Sequence, residues 1–154
     1  MYEYQLEAEY VHEFMKKGAR NCAYPSIVGG GKNACILHYS DNKDLLMDGD
    51  LVLVDAGCEF NGYASDITRT FPVNGKFSRA QQAVYEIVLD ANIECIKTVK
   101  KGLTPNETEK KAIEVITQGL IDLKILNGEI NELIEKGAYR DFYMHRVGHW
   151  MGMD

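Results

Sequence analysis

At 154 residues the chain has the length of one domain or most of one, enough to enclose a hydrophobic core. Its 45% apolar and 26% charged residues are an ordinary soluble balance, and no run approaches the roughly 18 consecutive apolar residues of a membrane span. Seventeen basic against 23 acidic residues leave a net charge of −6 with no basic stripe, which argues against nucleic acid and anionic membranes as partners.

The first ten residues are acidic and lack the apolar core of a signal peptide, so the expected location is the cytoplasm. Residues 2–17 have helical periodicity, with Tyr4, Ala8, Val11 and Met15 on one stripe and Gly18 placed as C-cap. Gly29-Gly30-Gly31, followed by Ala34-Cys35-Ile36-Leu37-His38-Tyr39, predicts a glycine-rich bend entering a strand. Asp48-Gly49-Asp50 reads as a turn. Leu51 to Val54 reads as a strand buried on both faces and ending in Asp55. Glu59-Phe60-Asn61-Gly62 is the next turn, and Tyr63 to Phe71 the returning strand.

Ser78-Arg79-Ala80-Gln81 fits a capping box, and Ala80, Val84, Ile87, Val88 and Ala91 carry a helical stripe toward residue 99. A second helix starts at Thr104-Pro105-Asn106-Glu107, with proline at its first position and Ala112, Ile116, Leu120 and Leu123 as its apolar face. A shorter one is expected over residues 129–136. Hairpins followed by helices, without βαβ alternation, indicate an α+β protein whose helices pack on a largely antiparallel sheet. Cys22, Cys35, Cys58 and Cys95 form no C-x-x-C pair and read as reduced, mostly buried thiols. With no repeat or linker, residues 1–154 read as a single domain. Their stop at Asp154, directly after the most histidine-dense segment, reads as a C-terminal truncation.

Asp55 and Asp66 carry the strongest chemical signal. With Phe60-Asn61 as the two-residue loop, residue 55 lies opposite 66; with Asn61-Gly62 it lies opposite 68 and diagonal to 66. Side chains alternate with a period of two, so both registers put the carboxylates on one face. Like charges so placed repel unless a proton or cation intervenes, and the pair suits a metal. A structural alternative pairs one aspartate with Arg69 or Lys76, although Arg69 points to the opposite face of the strand from Asp66. His145 and His149 stand four residues apart and share a face on a helix or a strand, but Arg146 replaces the glutamate of a zinc-protease H-E-x-x-H. His38, at the end of the expected strand, reads as a ligand, a proton shuttle or a satisfied core group. The glycine run lacks the spacing of a phosphate loop. Tyr63, Trp150 and the scattered methionines read as core or pocket lining.

Taken together, the stretches Ile27-Val28-Gly29 through His38-Tyr39, Leu53 to Glu59, Gly62 to Pro72 and Met144 to Asp154 resemble the catalytic domain of the aminopeptidase P family. These are pita-bread metallopeptidases, related to prolidase and methionine aminopeptidase. The resemblance covers essentially the whole chain. It implies the pita-bread α+β fold and a centre of two divalent ions, usually Mn²⁺, with Co²⁺, Zn²⁺ or Fe²⁺ as alternatives. By motif, Asp55 resembles the ligand of one metal, Asp66 the bridge between both, and His149 the ligand of the other. His38 and His145 match histidines of the substrate pocket that bind peptide and move protons. The implied reaction releases the first residue of a peptide with proline in second position, through attack by a metal-bridging water or hydroxide. Its partner is therefore a peptide substrate, and a homo-oligomer is expected.

The departures matter equally. The family's two glutamate ligands lie C-terminal to the histidine motif, so three of five ligands are present, and the chain alone is expected to have little activity. The family's separate N-terminal domain is absent as well, leaving the first half of the catalytic domain and the start of its second. A prolidase acting on dipeptides is the runner-up within the enzyme class. A binding module with the same fold and no metals is the reading from outside it, and the intact Asp55, Asp66 and His149 argue against that one.

Overall fold

Alternation along one strand organises the first part of the molecule. In β3 (Leu51–Ala56), Val52, Val54 and Ala56 are buried while Leu51, Leu53 and Asp55 are half-buried on the other face. The apolar run had predicted burial on both faces. Only one face packs into the core, as in an antiparallel sheet with one side against a helix. The structure is a computed structural model describing residues 1–153. It divides into two compact units, Met1–Phe77 together with the residues from Met151, and Ser78–Trp150.

In the first unit, β3 lies between β2 (Ile27–Gly30) and β6 (Ile67–Pro72), antiparallel to both. A second small sheet joins β1 (Asn21–Cys22), β4 (Cys58–Phe60) and β5 (Tyr63–Ala64). Helix α1 (Glu3–Lys16) covers the core face, where Leu6, Tyr10 and Phe14 pack against Val28, Leu46, Val52, Val54 and Ala56. Fully burying a valine such as Val28 or Val54 contributes about 1.5–3 kcal/mol. The helix and its Gly18 cap lie where the sequence places them, but the buried stripe does not. Tyr4 and Met15 are exposed, and the inward face begins with Glu3, a charge that no apolar pattern reveals.

The glycine run also behaves differently from expectation. Gly29 and Gly30 belong to β2, paired with Leu53 and Val52, and a 3₁₀ turn over Gly31–Cys35 follows. Gly31 has φ of +52°, and a Cβ there would stand 2.6 Å from Asp50 Oδ2, so the chain turns away and no strand forms over 34–39.

The second unit is helical. Helix α2 (Arg79–Thr98) starts at the Ser78 box: Gln81 N–H donates to Ser78 Oγ at 3.2 Å, and Ser78 N–H donates to Gln81 Oε1 at 2.8 Å. Helix α3 (Pro105–Asp122) starts at Thr104, whose N–H donates to Glu107 Oε2 at 3.0 Å. The two helices pack through Ala91 and Cys95 on one and Ala112, Gly119 and Leu120 on the other. Gly119 permits the close approach, since a Cβ there would stand 2.5 Å from Ile87 Cγ2. Val84 and Val88, expected on the packed stripe, are exposed. Helix α4 (Ile130–Glu135) falls within the expected range. All four cysteines are free, but only Cys95 is buried; Cys22 and Cys58 are half-buried and Cys35 is exposed. No helix is long and apolar enough to cross a membrane among the described residues.

Candidate functional site

Asn61 and Gly62 both adopt positive φ, +53° and +84°, the backbone a two-residue type I′ hairpin demands. This selects the second of the two registers open from sequence: Phe60 pairs with Tyr63, Glu59 with Ala64 and, beyond an interruption, Asp55 with Thr68. The interruption falls at Gly57 and Ser65-Asp66. Ser65 Oγ accepts from Cys58 N–H at 2.8 Å and donates to the Cys58 carbonyl at 3.0 Å, while Ser65 N–H donates to that same carbonyl at 2.9 Å. The hairpin thus leaves one sheet for the other at this point, and Asp66 stands at the junction.

Asp55 and Asp66 converge on a residue the sequence did not single out. Tyr24 Oη lies 2.6 Å from Asp55 Oδ1 and 3.0 Å from Asp66 Oδ1. Burial first, then the two carboxylates, push the phenol well above its ordinary value, so it remains a donor. A phenol has one proton, and two carboxylate oxygens cannot both receive it. Carboxylate oxygens suit hard or borderline divalent ions. The alternative pairing with Arg69 does not form: its guanidinium donates to the Thr68 carbonyl at 2.8 Å. Tyr24 sits in Ala23-Tyr24-Pro25, outside any periodic pattern. Ala23 N–H donates to the Gly57 carbonyl at 2.9 Å, which anchors the strand end beside the hairpin junction.

The histidines are placed otherwise than expected. His38 is exposed on a connecting segment with φ of +54°, not at a strand end. His145 and His149 belong to the second unit and lie on a segment that is neither helix nor strand. Their rings share a local geometry: His145 Nδ1 is 2.8 Å from the Arg146 carbonyl, and His149 Nδ1 is 2.7 Å from the Trp150 carbonyl. A carbonyl only accepts, so Nδ1 carries the proton and Nε2 is the basic nitrogen of each neutral ring. That is the tautomer a metal ligand or proton acceptor at Nε2 requires. Trp150 and Tyr63, expected as lining, are 85% and 62% exposed. Among the described residues, no group of three or more His, Cys, Asp and Glu side chains gathers in a metal-binding arrangement. The aspartate pair is what the fold brings together.

The whole chain, residues 1–154, matches the model of metallopeptidase family M24. It is 54% identical over 153 residues to an Xaa-Pro aminopeptidase of Haemophilus influenzae, covering 99% of this chain and 36% of that protein. The Xaa-Pro aminopeptidase of Escherichia coli is 49% identical over 154 residues, covering 100% of this chain and 35% of that one. Among solved structures, Pseudomonas aeruginosa aminopeptidase PepP is 55% identical and superposes with a TM-score of 0.98. A zinc-substituted E. coli aminopeptidase P in complex with product, 49% identical, also gives 0.98. Each superposition covers 100% of this chain and 35% of the other. The chain therefore spans about a third of the length of the relatives it matches.

Proposed function

The chain belongs to metallopeptidase family M24, with the α+β fold of the matching part of aminopeptidase P, and from that premise we propose that it forms part of a metal-dependent aminopeptidase. Its substrates would be peptides with proline in second position, as the name Xaa-Pro aminopeptidase states for its relatives. The observation that carries this reading is the convergence of the Asp55 and Asp66 carboxylates within hydrogen-bond reach of one Tyr24 hydroxyl.

Asp55 and Asp66 would hold the divalent ions, and His149 stands at the position that the family resemblance implies for a histidine ligand. Mn²⁺ is the first choice for such oxygen-rich ligation, and Co²⁺, Zn²⁺ and Fe²⁺ follow. When bound, the ions supply a water acidified toward neutral pH and a Lewis acid at the scissile carbonyl. The chain's own residues do the rest. Tyr24, within 3.0 Å of both carboxylates, would give its one proton to one of them at a time and so help keep the pair together. His145, protonated on Nδ1, would exchange a proton at the substrate through its ring. His38, exposed on its connecting segment, would contact the peptide. Proline in second position lacks an amide N–H and has a fixed φ, so those groups must accept a rigid, donor-free residue.

The test is a Mn²⁺ titration by calorimetry, with Xaa-Pro peptide hydrolysis, on the protein expressed at its natural length. Asp55→Asn should weaken Mn²⁺ binding by roughly 100-fold or more and lower hydrolysis in parallel. A wild-type protein that binds no divalent ion, or an Asp55→Asn variant with unchanged affinity, sinks the reading.

A further inference from the structure

Between Tyr143 and Trp150 the chain carries two histidines assigned to the site, yet forms no helix or strand. Such a segment needs something to hold it, since a histidine that wanders by an ångström serves poorly as ligand or base. The structure supplies a carboxylate from α3. Glu109 Oε2 accepts from the Val147 backbone N–H at 3.0 Å and from the Tyr143 hydroxyl at 3.3 Å. Tyr143 stands two residues before His145, and Val147 lies midway between His145 and His149. One oxygen thus receives donors from both sides of the first histidine and from the centre of the pair. Glu109 and His145 also line a common cavity of about 330 Å³ with Tyr139, Arg140, Tyr143 and Met144. Burial, then the Glu109 charge, raise the Tyr143 phenol well above its ordinary value, so it stays a donor across the working pH range.

We propose that Glu109 is a positioning residue: its carboxylate ties the His145–His149 segment to α3 through Val147 N–H and Tyr143 Oη and so sets where both imidazoles stand. The proposal rests on the assignment of those histidines to the site given above. A hydrogen bond to a charged acceptor is the stronger kind, and a backbone donor cannot rotate away as a side chain can.

The experiment compares wild type, Glu109→Gln and Glu109→Ala at natural length. Three measurements are made on each: hydrogen exchange of the Val147 amide in the metal-free protein, Mn²⁺ affinity, and kcat and KM for an Xaa-Pro peptide. In Glu109→Ala, Val147 exchange should speed up about 10-fold or more, and Mn²⁺ affinity and kcat should fall about 10- to 100-fold. Glu109→Gln keeps an oxygen acceptor on the same stem and should recover most of both, while its melting temperature serves as the folding control. Unchanged Val147 exchange in Glu109→Ala overturns the proposal, as does unchanged Mn²⁺ affinity in the presence of faster exchange. Should wild type neither bind Mn²⁺ nor cleave the peptide, the function proposed above fails on its own. The amide measurement still decides whether Glu109 holds the segment.

Discussion

Glu3 is fully buried, and its carboxylate is matched donor for donor. Oε1 accepts from Gly30 N–H at 2.8 Å and Asn33 Nδ2 at 3.0 Å; Oε2 accepts from Tyr39 Oη at 2.8 Å and Asp44 N–H at 2.9 Å. Burial pushes its pKa up, but the four hydrogen bonds together outweigh that and hold it below the ordinary 4.5. A carboxyl whose folded pKa is depressed contributes stability that is fully present above the unfolded value. That contribution is lost as pH falls through the folded value. Urea midpoints should therefore hold from neutral pH to about 4.5 and then drop, with Glu3 a contributor to the drop. Glu3→Gln offers one oxygen where two are needed and turns an NH₂ toward two donors. It should cost about 2–4 kcal/mol at pH 7 and flatten the acid limb. A variant as stable as wild type at pH 7 would refute this account. Neither Glu3 nor Tyr24 is visible in the sequence, because each gains its partners from segments far along the chain and carries no periodic signal.

At the scale of elements, local chemistry proved the better guide. The Ser78 and Thr104 starts, the Gly18 cap and the Asn-Gly hairpin are each decided by a few neighbouring residues, and each appears where those residues place it. The strand expected over Ala34–Tyr39 fails because Gly31 turns the chain before it. The inward face of α1 differs because a buried charge joins it. Neither circumstance leaves a trace in hydrophobic spacing. The aspartates were legible as a pair, since both candidate registers kept them on one face; what the register alone could not show was the interruption that separates them. That interruption turns on Gly57, where an added Cβ would stand 1.7 Å from the Ser65 carbonyl oxygen and 2.5 Å from its carbon. Backbone cannot swing aside as a side chain does, so Gly57→Ala should force the hairpin junction apart and displace Asp66 from Tyr24. The expected loss is about 3 kcal/mol or more by chemical denaturation. A wild-type midpoint for Gly57→Ala would mean that the strands can part there at little cost.

Asp55, Asp66 and His149 stand at three of the five positions that the family resemblance implies for metal ligands. A dinuclear centre needs enough fixed negative charge to repay the dehydration of two divalent ions, and residues 1–154 offer two carboxylates at those positions. Helix α2 also leaves Leu89, Ile93 and Ile96 exposed at positions that share one stripe of the helix, apolar side chains of the kind that marks a surface meant for a partner. Both features point the same way for residues 1–154 on their own. Mn²⁺ binding to this span should be at least ~100-fold weaker than to the longer Xaa-Pro aminopeptidase of Escherichia coli, of which it covers 35%. Release of the first residue from an Xaa-Pro peptide should be close to background. The span should also bind a hydrophobic dye such as ANS more strongly than that longer relative does. The comparison is informative in each direction: weak binding with strong dye fluorescence fits a site that needs further carboxylates and a face that needs cover. Brisk release of the N-terminal residue by the 154 residues alone would show instead that two aspartates and one imidazole are a sufficient centre.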